Sequence, residues 1–107
     1  MAKNESALTA TLQRRIKEYM GKDGFIWKAR GDPRQTKGIP DVCGVYHGFF
    51  VYWEVKMPGR EKTLTKNQAE VIKRLDNAGA VGAVVTNWKE TLRVLTEVEE
   101  RLADLSG

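Results

Sequence analysis

The chain has 107 residues, enough for one domain with a modest core but not for two. Hydrophobic residues at 41% and charged residues at 30% suit a water-soluble globular protein, and no apolar run approaches the roughly 20 residues that span a bilayer. The formal charge is +4 but unevenly spread: +5 over residues 1–40, +1 over 41–68 and −2 over 69–107. A basic first part suggests a polyanion laid across it.

The chain opens on Met1-Ala2-Lys3-Asn4-Glu5 and a polar, helix-like pattern, unlike the apolar core of a signal peptide. Leu8, Leu12, Ile16 and Tyr19/Met20 recur at helical spacing, which predicts a first helix over Glu5 to Met20, stopped by Gly21 and Gly24. Glu5 lies one turn before Leu8 on the expected inward side, so it is the first-helix acid best placed to reach a site. A carboxylate there is also explained by the helix N-terminus alone.

A short strand is predicted over Phe25 to Arg30, and a polar loop over Gly31 to Gly38 in which Arg34 and Lys37, with Arg30 before them, are candidate phosphate contacts; a solvated, mobile connection is the alternative. Val42–Tyr46 and Phe49–Trp53 flank His47-Gly48 and read as a β-hairpin. Gly44 within it implies a close backbone approach or a bulge. Cys43, the single cysteine, cannot form an internal disulfide, which suits a reducing interior, and reads as a small buried side chain. His47 is the only histidine, but a hairpin tip puts it at the far end from the acids described next.

Asp41 and Glu54 stand thirteen positions apart, one at each base of the hairpin. Strand side chains alternate, so Glu54 and Lys56 point to one side and Val55 to the other. Two nearby carboxylates suit a hard divalent cation, and a lysine beside them suits the orienting of a water. This is machinery for hydrolysing a phosphodiester. The plain structural alternative is a pair of edge-strand acids, with Lys56 simply pairing Glu54.

Thr65 and Gln68 form a capping box opening a second helix, with Ala69, Ile72, Leu75 and Ala78/Gly79 as its buried stripe. Gln68 either completes that cap or reaches the Glu54–Lys56 strand, and one amide in one rotamer is not expected to do both. Gly79 to Thr86 reads as an apolar strand buried on both faces inside a sheet. Asn87 caps a helix to about Leu95, and a second box at Thr96 and Glu99 predicts a break before a final helix over Glu97 to Leu105. Trp27, Trp53 and Trp88 are far apart in sequence and read as packing.

The order helix, strand, hairpin, helix, strand, helix, with Pro40-Asp41 and Glu54-Val55-Lys56 on the hairpin, resembles the PD-(D/E)XK nucleases. The wider pattern of G-I-P-D-V at 38–42, E-V-K at 54–56, L-T-x-x-Q at 64–68 and G-A-V-G-A-V-V at 79–85 resembles the VRR-NUC family in its short, stand-alone phage and bacterial form. That resemblance implies an α/β, restriction-endonuclease-like core over 1–107, with a central mixed sheet in αβββαβ order plus C-terminal helices. It implies a DNA endonuclease selective for branched DNA such as four-way junctions, using Mg²⁺ or Mn²⁺; oxygen ligands with no His/Cys cluster in the sequence argue against zinc. Asp41, Glu54 and the Val55 backbone carbonyl would be metal contacts, with Glu5 a possible third acid; Lys56 and Gln68 would join the two acids as catalytic residues. It further implies a homodimer in the cytoplasm of a bacterium or phage-infected host, with no membrane partner. Phe49, Phe50 and Tyr52 are candidate dimer contacts, with ordinary core packing as the alternative. The rival reading is an inert nucleic-acid-binding module with the same fold.

Overall fold

In the computed structural model, residues 3–29 and 36–107 are described; Arg30 and Arg34 therefore lie outside the described residues. Helix α1 runs Glu5–Met20, the span its periodicity predicts. The Asn4 side chain accepts from the Ala7 N–H at its start, and the Gly21 N–H donates to the Lys17 carbonyl at its end. Thr9, Leu12, Ile16 and Met20 form its buried stripe, while Tyr19 is exposed.

Strands β1 (Gly24–Lys28), β2 (Val42–Tyr46) and β3 (Phe49–Val55) form an antiparallel meander, and β4 (Val81–Val85) adds parallel to β3 in the order β1-β2-β3-β4. β1 is shorter than expected at its C-terminal end. His47 and Gly48 both have positive φ, 49° and 83°, as a two-residue hairpin turn of matching twist requires. Gly44 makes a close approach: a Cβ there would run into the Phe25 carbonyl across β1.

α2 (Lys66–Asn77) is the crossover between the parallel strands β3 and β4, and α3 (Trp88–Ser106) closes the fold. α3 is one continuous helix, so the expected break at Thr96 does not occur. Its buried positions Thr91, Val94, Leu95 and Val98 keep helical spacing through that point. The Thr96 hydroxyl bonds back to the Arg93 carbonyl instead of capping a new helix.

α1 and α3 cover one face of the sheet. There Leu12, Ile16, Val94, Leu95 and Val98 meet Val42, Val51, Trp53, Val55 and Val85 in one core. Each such side chain contributes about 1.5–3 kcal/mol by leaving water. The Trp53 indole N–H donates to the Thr91 carbonyl at 3.1 Å, tying β3 to α3. Glu99 of α3 accepts from Tyr46 at 2.6 Å and from Tyr19 at 2.9 Å, joining sheet and both helices at the edge of that core.

α2 lies on the opposite face and buries no residue fully, contrary to the expected stripe: Ile72 and Leu75 are half-buried and Ala69 is exposed. Polar contacts assist it, among them Tyr52 Oη donating to Asp76 at 2.5 Å. β4 is also not interior. It is an edge strand whose middle residues are half-buried, its apolar run explained by packing on α3. Tyr52 is 1% exposed and Phe49 packs on the core, which removes both from the candidate dimer surface; Phe50 is half-buried.

Candidate active site

The hairpin register fixes the acid pair. Val42 faces Trp53 at the last ladder position, so Asp41 and Glu54 form the next pair outward, on one side of the sheet. Asp41 is held at that point twice. Its carbonyl accepts from the Ala29 N–H at 2.8 Å, and its Oδ2 accepts from the Val55 N–H at 2.9 Å. One oxygen of Asp41 is thus tied to the backbone of the strand that carries Glu54.

Glu54 is 1% exposed. Its Oε2 lies 3.7 Å from Lys56 Nζ and accepts from Gln68 Nε2 at 3.2 Å, while Oε1 is buried with no hydrogen-bond partner. Lys56, two residues on, shares the face, and Val55 turns into the core. Burial first, then the charge of Asp41, pushes the Glu54 carboxyl up to about 7, against the opposing pull of Lys56. Burial likewise pushes the Cys43 thiol up to about 11, with the two acids adding to it, and its Sγ–H points to the Pro40 carbonyl. Cys43 is therefore a neutral, buried side chain, as its sequence context suggested.

Gln68 corrects the either-or expectation, because its two amide ends do different work. The oxygen accepts from the Thr65 N–H at 2.9 Å, completing the capping box, while the nitrogen donates to Glu54. The chemistry assigns the ends: a backbone N–H needs the amide oxygen, and a carboxylate needs the amide nitrogen. The Gln68 N–H in turn donates to Thr65 Oγ1 at 3.1 Å.

Gly38, which the sequence marks only as the start of the G-I-P-D-V run leading into Asp41, packs closely on α2. With φ at 91°, it lies against the backbone of Asn67 and Gln68 in the first turn of α2. Its signal was the glycine two positions before Pro40-Asp41. Lys37 beside it is exposed. His47 stays at the hairpin tip, where its backbone N–H donates to the Asp23 carbonyl.

Glu5 is not brought to the acids. It is exposed at the first position of α1, not inward, and no group of three His, Cys, Asp or Glu able to hold a metal occurs among the described residues. The stripe facing the sheet begins at Leu8 and Thr9, and the turn before it projects into solvent. Among the described residues, the oxygen donors at this point are Asp41, Glu54 and backbone carbonyls. These fit a magnesium-like ion, which takes one or two carboxylates and completes its shell with water and substrate phosphate. A buried, unpartnered carboxylate oxygen is the observation that fits such an ion best.

No family model and no curated protein matches the chain. A solved structure described as a VRR_NUC domain is similar to it, with a TM-score of 0.65 at 20% identity, over 87% of this chain and 96% of that one. At that identity the likeness is one of fold. The chain has the fold of a VRR_NUC domain, the α/β restriction-endonuclease-like arrangement of a mixed sheet flanked by helices.

Proposed function

We propose that this chain is a metal-dependent DNA endonuclease that hydrolyses phosphodiesters. The observation that carries the reading is Glu54: a buried carboxylate with one free oxygen, beside Asp41 and within 3.7 Å of a nearly buried lysine. Keeping an anion there raises its own proton affinity, and proteins retain such arrangements chiefly at working sites. The nuclease reading agrees with the VRR_NUC likeness, which supports it at the level of fold.

Asp41 and Glu54, with the Val55 carbonyl, would hold Mg²⁺ or Mn²⁺. When bound, such an ion would supply Lewis-acid polarisation of the phosphate and ready ionisation of a water. Lys56 orients the attacking water by its N–H donors and offsets the negative charge that builds on the phosphate. Gln68 holds Glu54 Oε2 in place, leaving Oε1 to face the reacting centre. The all-oxygen donor set speaks for Mg²⁺ or Mn²⁺ over zinc.

Lys37, Arg30 and Arg34 would contact the DNA backbone. One site cuts one strand per event, so a symmetric cut at a branch needs two copies, and a twofold homodimer acting on junction DNA is the reading that follows.

The test is a panel of labelled four-way junction, flap and linear duplex DNA, incubated with Mg²⁺, Mn²⁺ or EDTA. Paired nicks in the junction that need the metal are the expected result. Equal cutting of every substrate would remove the branch selectivity and leave the nuclease. Binding without cutting under any metal would overturn the catalytic reading.

A further inference from the structure

The sheet has one covered face and one partly open face. α1 and α3 pack on the first; on the second, α2 reaches only the β3–β4 side. The register puts Phe25 opposite Val45 and Trp27 opposite Cys43, and Cys43 opposite Tyr52. Opposed residues point the same way and alternate residues along a strand share a side. Phe25, Trp27 and Val45 therefore lie on the same face as Asp41, Glu54 and Lys56. They are 73%, 43% and 42% exposed, and the rings of Phe25 and Trp27 stand 6.2 Å apart. Trp27 thus stands partly open on this face, unlike Trp53, which is fully buried.

An exposed aromatic pair contiguous with a candidate active site calls for an occupant. Cys43, the strand neighbour of Trp27, is two residues from Asp41, about 7 Å along β2. A strand whose phosphate sits at the acid pair and which runs along β2 toward the hairpin tip would bring its neighbouring nucleotides over Trp27 and Phe25. The surroundings complement a polyanion. Lys37 is exposed on the segment that leads into Asp41, and the stretch after β3 carries Lys56, Arg60, Lys62 and Lys66 against the single acid Glu61. A second copy of the chain fits less well. The three side chains at those exposures offer on the order of 300 Å², short of the roughly 800 Å² per partner that a stable interface buries.

We propose that Phe25 and Trp27 form a stacking platform for unpaired bases flanking the scissile phosphate, so that the substrate is taken with a single-stranded or splayed segment. Aromatic rings on an open sheet face bind bases in this manner because every base has a π-face, whatever its sequence. The proposal rests on the nuclease reading and names the form of DNA that the same site takes.

The test uses the full chain in EDTA, so that nothing is cut, with a short single-stranded oligonucleotide and the duplex of the same sequence. The single strand is expected to quench tryptophan emission. Trp27→Phe is expected to lose that quench and keep affinity within about threefold, since a ring remains. Phe25→Ala with Trp27→Ala is expected to weaken single-strand binding by about tenfold or more, with a far smaller change for duplex. Unaltered single-strand affinity in the double variant, or no binding by the wild type, would overturn the platform. So would a change in oligomeric state of that variant by light scattering, which would give the face to a second copy.

Cutting in Mn²⁺ separates the two readings. A double variant that nicks flaps and junctions as well as wild type removes the platform and leaves the nuclease. A wild type that binds single strands through Trp27 but never cuts leaves the platform and removes the nuclease.

Discussion

Replacing Glu54 by glutamine should make the metal-free protein more stable and abolish the proposed cleavage. Glu54 is buried, and its folded value of about 7 lies above the ordinary 4.5. Between those values the folded state binds more protons than the unfolded one, so stability falls as pH rises through the window. The gap corresponds to about 3 kcal/mol, lost in full above pH 7. Glu54→Gln removes the ionisation but keeps an oxygen that can accept from Gln68. It also leaves Lys56 without its anion at 3.7 Å, which offsets part of the gain.

The expected net gain at pH 8 is therefore about 1–3 kcal/mol, and a domain of this size gains roughly 4 °C or more in Tm per kcal/mol. Urea unfolding in EDTA at pH 4.5, 6 and 8 measures it. The difference between variant and wild type should be near zero at pH 4.5 and largest at pH 8. Added Mg²⁺ should then stabilise the wild type and leave the variant unmoved, because only the wild type offers both carboxylates. A variant less stable than wild type at pH 8, or a difference independent of pH, would refute the electrostatic account of the site.

Gln68→Ala should lose both the cap and the contact to Glu54, lowering stability by about 0.5–1 kcal/mol together with cleavage. Gln68→Glu keeps an acceptor for the Thr65 N–H, so its Tm at pH 5 should stay close to wild type while cleavage falls; equal Tm losses in the two variants would contradict the shared amide. Gly38→Ala meets both a positive φ and the Asn67 backbone, so it should cost about 1–3 kcal/mol and displace Asp41. Gly59→Ala, with a positive φ of 89° but open space around it, is the control that isolates the backbone strain, and unfolding of both in urea compares them.

Much of the fold is legible because it is locally encoded. The stripe of α1 and the stop at Gly21 give its bounds, His47-Gly48 gives the hairpin, and the alternation Glu54-Val55-Lys56 puts acid and lysine on one face before any tertiary contact is known. The failures share another cause. Thr96 and Glu99 spell a helix start, but the buried stripe from Thr91 to Val98 outweighs that local signal. Trp27 looks the same in sequence whether its face is covered or open, and which face α1 and α3 cover is decided by long-range packing. Glu5 fails for a similar reason: the side of the helix can be read from spacing, but not how far the packed stripe extends toward the N-terminus. The double use of Gln68 needs the approach of α2 to β3, which no spacing states. The acids and the lysine were thus readable as a set, while the free oxygen of Glu54 was not.

The most direct measurement compares wild type with Lys56→Ala in nicking of supercoiled plasmid with Mn²⁺, with DNA affinity measured in parallel in EDTA. The account predicts nicking by the wild type that EDTA abolishes, and none by Lys56→Ala at nearly unchanged affinity. Nicking at the wild-type rate by Lys56→Ala, or none by the wild type at any divalent concentration, would contradict it.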